Sequence, residues 1–385
     1  MPLIMLRPHV FSEPIYVTRP LLPPLTEYTA LLEQVWESGW LSNNGDQHKA
    51  LEVALSQYLR APNLSLFNNG TIALIVACQA LRISGEVITT PFTFPATPHI
   101  LSWNNVTPVF VDIDPVTMTI NPELVERMIT NRTSAILGVH VYGQPCAVHA
   151  LQNIADAYGL KVIYDGAHSF GTEIDGCPIT EYGDVTMLSF HATKLFHTAE
   201  GGALVVRDLK LKERINLLKN FGIKNESEVM MPGINGKMNE LQSALGQVVL
   251  KYLDVERERR QEILNVYINR LSEIEGVTCF KLPLNVRNSL QYFIIRISED
   301  KARYSRDEVH EQLKKFNIFT RKYFYPLCSE YSCYRMLPSS RKDHLPASHL
   351  VANQVMALPF YGGLGSEGAH QVCDALTYIL GKTSA

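Results

Sequence analysis

Long apolar runs are missing from this 385-residue chain, in which no stretch approaches the roughly 18 residues that a bilayer-spanning helix requires. No basic segment precedes the short apolar start Met1-Pro-Leu-Ile-Met-Leu6, and no small-residue cleavage site follows it, so no secretory signal is read and a cytoplasmic protein is expected. Paired cysteines are missing too. Cys78, Cys146, Cys177, Cys279, Cys328, Cys333 and Cys373 are odd in number and form no Cys-x-x-Cys pair, which suits a reducing compartment and thiols that fill cores. Charge of one sign is absent: 35 basic and 38 acidic residues are interspersed for a formal net charge of -3. That balance argues against nucleic acid or a membrane surface and leaves a small molecule as the expected partner. The 12 histidines show no His-x-x-x-His spacing, so no metal is expected, and His140 and His197 read as hydrogen-bonded core or pocket groups. No Gly-x-Gly-x-x-Gly follows the first strand, which disfavours a nicotinamide dehydrogenase. Internal repeats and low-complexity tracts are also lacking.

What is present is enough for a full core, with 46% hydrophobic and 19% charged residues. The length suits one large domain and a smaller one, expected at 1–250 and 251–385. Helical periodicity predicts helices near Glu27–Ser38, stopped by Gly39, and Lys49–Leu59. Apolar strands are then expected at Leu64–Phe67, Val87–Thr89, Val109–Val111, Ala135–Val139, Lys161–Tyr164, Thr186–Phe190 and Ala203–Val206, with helices between several of them. Strands that are continuously apolar imply an α/β protein whose mainly parallel sheet has helices on both faces. From Met238 a single helix is expected to run to Leu271, its charged middle Glu256-Arg-Glu-Arg-Arg260 read as a solvated face. A small α+β unit follows, including a Ser305-Arg-Asp-Glu308 capping box and a last helix ending near Leu380.

Ligands of parallel sheets sit at the carboxyl ends of the strands, and four such ends carry chemistry here. Asn68-Asn-Gly70-Thr71 closes one strand and opens a helix, so it is either a capped turn or a phosphate site. Phe94, in Pro91-Phe-Thr-Phe94, is either core or a platform for a flat ligand. Asp165 ends a third strand with small residues after it, and His168 lies close by. Ser189 closes a fourth and offers a second phosphate contact, with Lys194 five residues on. A buried lysine beside other charges becomes a nucleophile for carbonyls, and an aspartate can hold a pyridine nitrogen protonated. Pyridoxal 5'-phosphate satisfies all of these groups together.

Seven stretches resemble the DegT-type sugar-nucleotide aminotransferases within fold-type I pyridoxal-phosphate enzymes: Gly39-Trp-Leu-Ser-Asn-Asn-Gly45, Asn69-Gly-Thr-Ile-Ala-Leu74, Pro91-Phe-Thr-Phe94, Asp165-Gly-Ala-His168, Ser189-Phe-His-Ala-Thr-Lys194, Glu200-Gly-Gly202 and Gly233-Ile-Asn-Gly-Lys-Met-Asn-Glu240. The resemblance implies a large sheet domain with a small C-terminal α+β domain. It implies that Lys194 carries the cofactor, Asp165 pairs with its ring nitrogen, Phe94 stacks on the ring with His168 beside it, and Gly70, Thr71 and Ser189 bind its phosphate. Asn235 matches a family residue that reaches the partner's phosphate, implying a homodimer with shared active sites. Lys237 stands where the family commonly has arginine. His-Ala-Thr-Lys194 with Glu-Gly-Gly202 is similar to members acting on a C4 ketone, whereas C3 enzymes usually show Tyr-Pro-Gly-Lys there. The expected reaction is therefore transfer from L-glutamate to dTDP-4-keto-6-deoxyglucose for surface-polysaccharide or glycoside synthesis. A C3 aminotransferase, a sugar dehydratase and a non-catalytic sensor are the alternatives, although the dehydratase replaces the lysine by histidine. His191 is a candidate substrate contact. Tyr325, in the Tyr323-Phe-Tyr325-Pro326 stretch, resembles a family element near the sugar or else packs in the core.

Overall fold

Strands that are apolar on both faces need cover on both faces, and the chain supplies it. The computed structural model describes residues 8–42 and 44–381. After β1 (Ile15–Tyr16) come α1 (Leu25–Ser38) and α2 (Asp46–Tyr58), then an alternation of β2 (Leu64–Phe67), α3 (Gly70–Ala80), β3 (Glu86–Thr89), α4 (Ala96–Trp103), β4 (Thr107–Phe110), α5 (Pro122–Arg127), β5 (Thr133–Val139), α6 (Val148–Tyr158) and β6 (Lys161–Asp165). Strands Val185–Ser189 and Gly202–Val206 complete a seven-stranded sheet in the order β2, Gly202–Val206, Val185–Ser189, β6, β5, β3, β4. Only Gly202–Val206 runs antiparallel to its neighbours.

The two faces bury different helices. Val87, Leu137, Ile163 and Leu204 pack against Leu74 and Ala77 of α3, Ile100 of α4 and Ile215 of α7 (Leu209–Leu218). On the other side, Ile88, Ile136 and Val162 meet Val125 of α5 and Leu151 of α6. Leu66 and Val205 meet Leu51 and Leu55 of α2 and Val249 of α8 (Glu240–Lys251). Burying one such side chain fully is worth about 1.5–3 kcal/mol, so this two-sided core dominates the stability of the sheet. Helix α4 was not among the expected elements, and it carries two prolines, Pro95 and Pro98. Both sit at its start, where a missing N–H costs nothing.

The expected long helix is two. Its first part ends at Tyr252, and α9 (Leu253–Leu271) follows at once. The charged middle is also not a solvated face. Glu256 and Arg260 are 4% and 1% exposed and form an ion pair, Arg260 Nε to Glu256 Oε1 at 2.7 Å. Leu290 O accepts from Arg260 and Gly362 N–H donates to Glu256, so the buried charges are solvated by backbone. Glu258 and Arg259 alone in that run face water.

Around α9 the C-terminal chain builds a second core. Strands Val277–Cys279, Phe293–Ile297 and Val355–Leu358 form an antiparallel sheet, with α10 (Arg306–Leu313), α11 (Pro346–Gln354) and α12 (Gly365–Leu380) around it. The Ser305–Glu308 capping box is present at α10. The N-terminal segment, expected with the large domain, is hydrogen-bonded to this unit instead: Ile15 and Tyr16 pair with Ile318 and Phe319, and Phe360 N–H donates to Val17 O. A shared apolar cluster, including Phe92, Tyr142, Tyr292 and Phe324, joins the two cores. Among the described residues, no helix is long and apolar enough to cross a membrane.

Removing one member of a buried pair strands the other charge. Glu256→Ala is expected to lose about 3–5 kcal/mol of stability in chemical denaturation. A loss under about 1 kcal/mol would contradict the buried-pair reading.

Candidate active site

Parallel strands deliver their carboxyl ends to one edge of the sheet, and the side chains singled out there surround a cavity of about 260 Å³. Gly70, Thr71, Phe94, Asp165, His168, Ser189, His191 and Lys194 all line it.

The turn after β2 is a capped helix start that lines the cavity. Asn69 Oδ1 accepts from Ile72 N–H at 2.8 Å, and the first turn of α3 leaves the Gly70 and Thr71 N–H groups without intrahelical partners. Space requires glycine here: a Cβ on Gly70 would stand 2.9 Å from Met187 Sδ, and one on Gly202 would stand 2.7 Å from Gly70 N. Ser189 ends its strand on the same side.

Asp165 is 4% exposed. Thr97 donates to its Oδ2 at 2.7 Å and Ala167 N–H to its Oδ1 at 3.1 Å, while Thr93 bonds Thr97 at 2.8 Å. Burial pushes its carboxyl above the usual range, against the pull of Thr97, Ala167 and the Lys194 charge. It makes no ion pair among the described residues. His168 stacks parallel to Tyr142 and Phe324 and accepts Tyr142 N–H on Nδ1 at 3.2 Å. Burial holds it well below the usual imidazole range, so it is neutral and its proton sits on Nε2.

Lys194 lies in the loop after the Val185–Ser189 strand, its Nζ 5.8 Å from the centre of the Tyr292 ring. Burial brings its amine down to about 8, although Asp165 and Tyr323 pull the other way. At neutral pH a usable fraction is therefore unprotonated. His191 stands at the mouth, half exposed, with Nδ1 at 2.9 Å from Thr193 Oγ1 and Nε2 at 3.5 Å from Glu200 Oε1. Phe94 is 57% exposed at the rim.

Lys237 and Tyr325 do not line the cavity, and neither does Asn235, whose expected place is a partner's site. Asn235 is exposed and accepts from Lys237 Nζ at 2.9 Å, and Lys237 lies 5.0 Å from the Phe221 ring centre. Tyr325 is half exposed and offers its ring to Arg306 and Lys322, so it does not line the cavity. Its neighbours Tyr323 and Phe324 do, as do Tyr292 and Glu200. No local motif marks Tyr292, whereas Tyr323 lies in the stretch singled out around Tyr325, and both arrive from the C-terminal unit. Thr97 lies just after the Pro91–Phe94 stretch, in the first turn of α4, and no local motif marks it.

The model of the DegT/DnrJ/EryC1/StrS aminotransferase family matches residues 26–377. The chain is 47% identical to the dTDP-4-amino-4,6-dideoxy-D-glucose transaminase of Escherichia coli, over 92% of this chain and 95% of that one. It is 43% identical to the protein of the same name in Shigella dysenteriae, over 96% and 98%. Among solved structures, DesI in the presence of its TDP-sugar product superposes with a TM-score of 0.92 at 35% identity, covering 96% of this chain and 94% of that one. Helicobacter pylori PseC, an aminotransferase of pseudoaminic acid biosynthesis, superposes with a TM-score of 0.87 at 26% identity, over 95% and 99%.

In the cofactor-free protein, acylation of Lys194 followed by mass spectrometry is expected to rise through a midpoint near 8. Because the Asp165 charge raises that value, Asp165→Asn should move the midpoint down. A midpoint near that of an exposed lysine, about 10.4, would refute the site's electrostatics.

Proposed function

The chain belongs to the DegT/DnrJ/EryC1/StrS aminotransferase family, and from that premise we propose that it moves an amino group from L-glutamate to the C4 ketone of dTDP-4-keto-6-deoxyglucose, giving dTDP-4-amino-4,6-dideoxyglucose. The family and its structural neighbours are pyridoxal-phosphate-dependent aminotransferases. The residues present fit that cofactor. A buried carboxylate with neutral donors and no ion-pair partner suits a cationic ring nitrogen. A helix start whose first N–H groups lack intrahelical partners suits a phosphate, and a desolvated amine brought down to about 8 suits an aldehyde.

Lys194 would hold the cofactor, Gly70, Thr71 and Ser189 its phosphate, Asp165 its ring nitrogen, and Phe94 and His168 its ring. When bound, pyridoxal phosphate supplies a carbonyl for the amino group and a ring that accepts electrons from the donor's Cα–H bond. The protein's part is proton handling and placement. Lys194 Nζ, released when the donor takes its place, would act as general base for the donor's Cα proton and hand that proton on within the same half, with the reverse transfer on the keto-sugar half. Thr97 and Ala167 donate to Asp165 and favour its anion against the burial that raises it, so the carboxylate suits positive charge held against it. His168, fixed as the Nε2–H tautomer, is a donor at the cavity wall. Tyr292, Tyr323 and Phe324 exclude water from the amine.

The observation that carries this reading is a half-buried Lys194 and a buried Asp165 lining one cavity without an ion pair between them. The C4 assignment rests on the names of the relatives above and on His191-Ala-Thr-Lys194 with Glu200-Gly-Gly202. A homodimer with shared sites is part of the proposal. Asn235 lies outside its own cavity next to the exposed apolar residues Phe221, Ile223, Val229, Met230 and Ile234, as a residue serving a second copy would. We also assign the protein to the cytoplasm, where its seven free cysteines would stay reduced.

Lys194→Ala should lose both borohydride-trappable cofactor and the glutamate half-reaction, and survival of either would sink the assignment. In a panel of nucleotide-linked 3-keto and 4-keto sugars with glutamate, turnover is expected only with 4-keto substrates. Reaction confined to a 3-keto sugar overturns the C4 reading and leaves the cofactor chemistry intact. Sedimentation should give a dimer. Asn235→Ala should weaken cofactor affinity in it by about tenfold, the scale of one charge-assisted phosphate contact.

A further inference from the structure

Between Ser189 and Gly202 the chain has neither helix nor strand, yet a nucleophilic amine has to reach one place. The Lys194 N–H makes only a local turn to His191 O at 2.8 Å. The peptide groups on either side of the lysine are held from a distant part of the chain. Gln291 accepts Leu195 N–H on Oε1 at 2.7 Å and donates from Nε2 to Thr193 O at 2.9 Å. It is 2% exposed. One carboxamide therefore pins the backbone just before and just after Lys194. The next residue, Tyr292, brings its ring to Lys194 Nζ and packs against His168 and Tyr323.

We propose that Gln291 is a positioning residue for Lys194: its two-point hold on the Thr193 carbonyl and the Leu195 amide aims the amine into the cavity and ties that aim to the seating of the C-terminal core against the large sheet. This rests on the reading of Lys194 as the cofactor-bearing lysine. A carboxamide suits the task because it donates and accepts at once and carries no charge. Leucine does neither. Glutamate accepts from Leu195 but sets an oxygen against the Thr193 carbonyl, and it adds an anion beside an amine already faced by Asp165, His168, Tyr292 and Tyr323. Lysine's four-carbon stem magnifies any drift of its Cα, and a misplacement of about 1 Å at a reacting group costs up to about a hundredfold in rate.

The test separates aim from cavity. Pyridoxamine phosphate has no aldehyde, so its affinity reports the cavity and phosphate cradle alone. Borohydride trapping of pyridoxal phosphate, read by mass spectrometry at Lys194, reports delivery of the amine. In Gln291→Leu the attachment rate is expected to fall by about tenfold or more, with pyridoxamine phosphate affinity within about twofold of wild type. Attachment within about twofold of wild type, or loss of both in parallel, overturns the proposal. The near-isosteric Gln291→Glu decides if the leucine variant fails to fold. Its Lys194 acylation midpoint in cofactor-free protein should rise by about one pH unit, and an unchanged midpoint overturns the proposal. Wild-type protein that traps no cofactor at Lys194 would instead refute the aminotransferase reading, leaving the Gln291→Glu midpoint to judge the clamp.

Discussion

An amine and a carboxylate share one buried cavity here without neutralising each other as an ion pair, and the rest of the structure arranges for that. Joined, Lys194 would be a protonated cation and Asp165 a spent anion. Kept apart, each has a use: burial leaves the amine partly unprotonated at neutral pH, and Thr97 and Ala167 solvate the carboxylate with neutral donors. The cost of leaving both charges short of full compensation falls on the surrounding core, which is apolar and closed on both faces of the sheet.

The architecture follows from this need. Parallel strands bring residues far apart in the chain to one edge, so Thr71, Asp165 and the Ser189–Lys194 stretch meet although they follow three different strands. The C-terminal unit closes the remaining side with Tyr292, Tyr323 and Phe324. It also reaches into the lysine loop through Gln291. Its own anchor is another pair of buried charges, Glu256 with Arg260, treated in the opposite way: these two are joined directly and satisfied by backbone. Glu256 and Arg260 are joined, whereas Lys194 and Asp165 are held apart.

The strand ends that carry the site were legible because each combines a periodic apolar run with a chemically distinctive residue just after it. The Asn69 cap, the carboxylate at Asp165 and the Ser189–Lys194 spacing are local features of that kind. Helix α4, with Pro95 and Pro98 at its start, was hidden, though prolines are harmless in a first turn. The run Glu256–Arg260 looked solvated because charge predicts exposure unless a partner is known, and the i, i+4 pairing alone does not say which way the helix faces. Tyr325 was chosen over Tyr323 and Phe324 because adjacent aromatics are indistinguishable until the backbone directs each side chain.

By itself the sequence determined the alternation that makes a parallel sheet, the four strand ends, and the set of groups that fit a pyridine aldehyde with a phosphate. These are local properties, written in periodicity and residue type. Only tertiary structure decided that Thr97 solvates Asp165, that Gln291 holds the peptides flanking Lys194, that the N-terminal strand joins the C-terminal unit, and how far burial shifts each pKa. Those depend on which groups are desolvated together. Desolvation is a property of the packed whole, set by residues from distant parts of the chain such as Tyr323 beside Lys194, and no stretch of chain carries it alone.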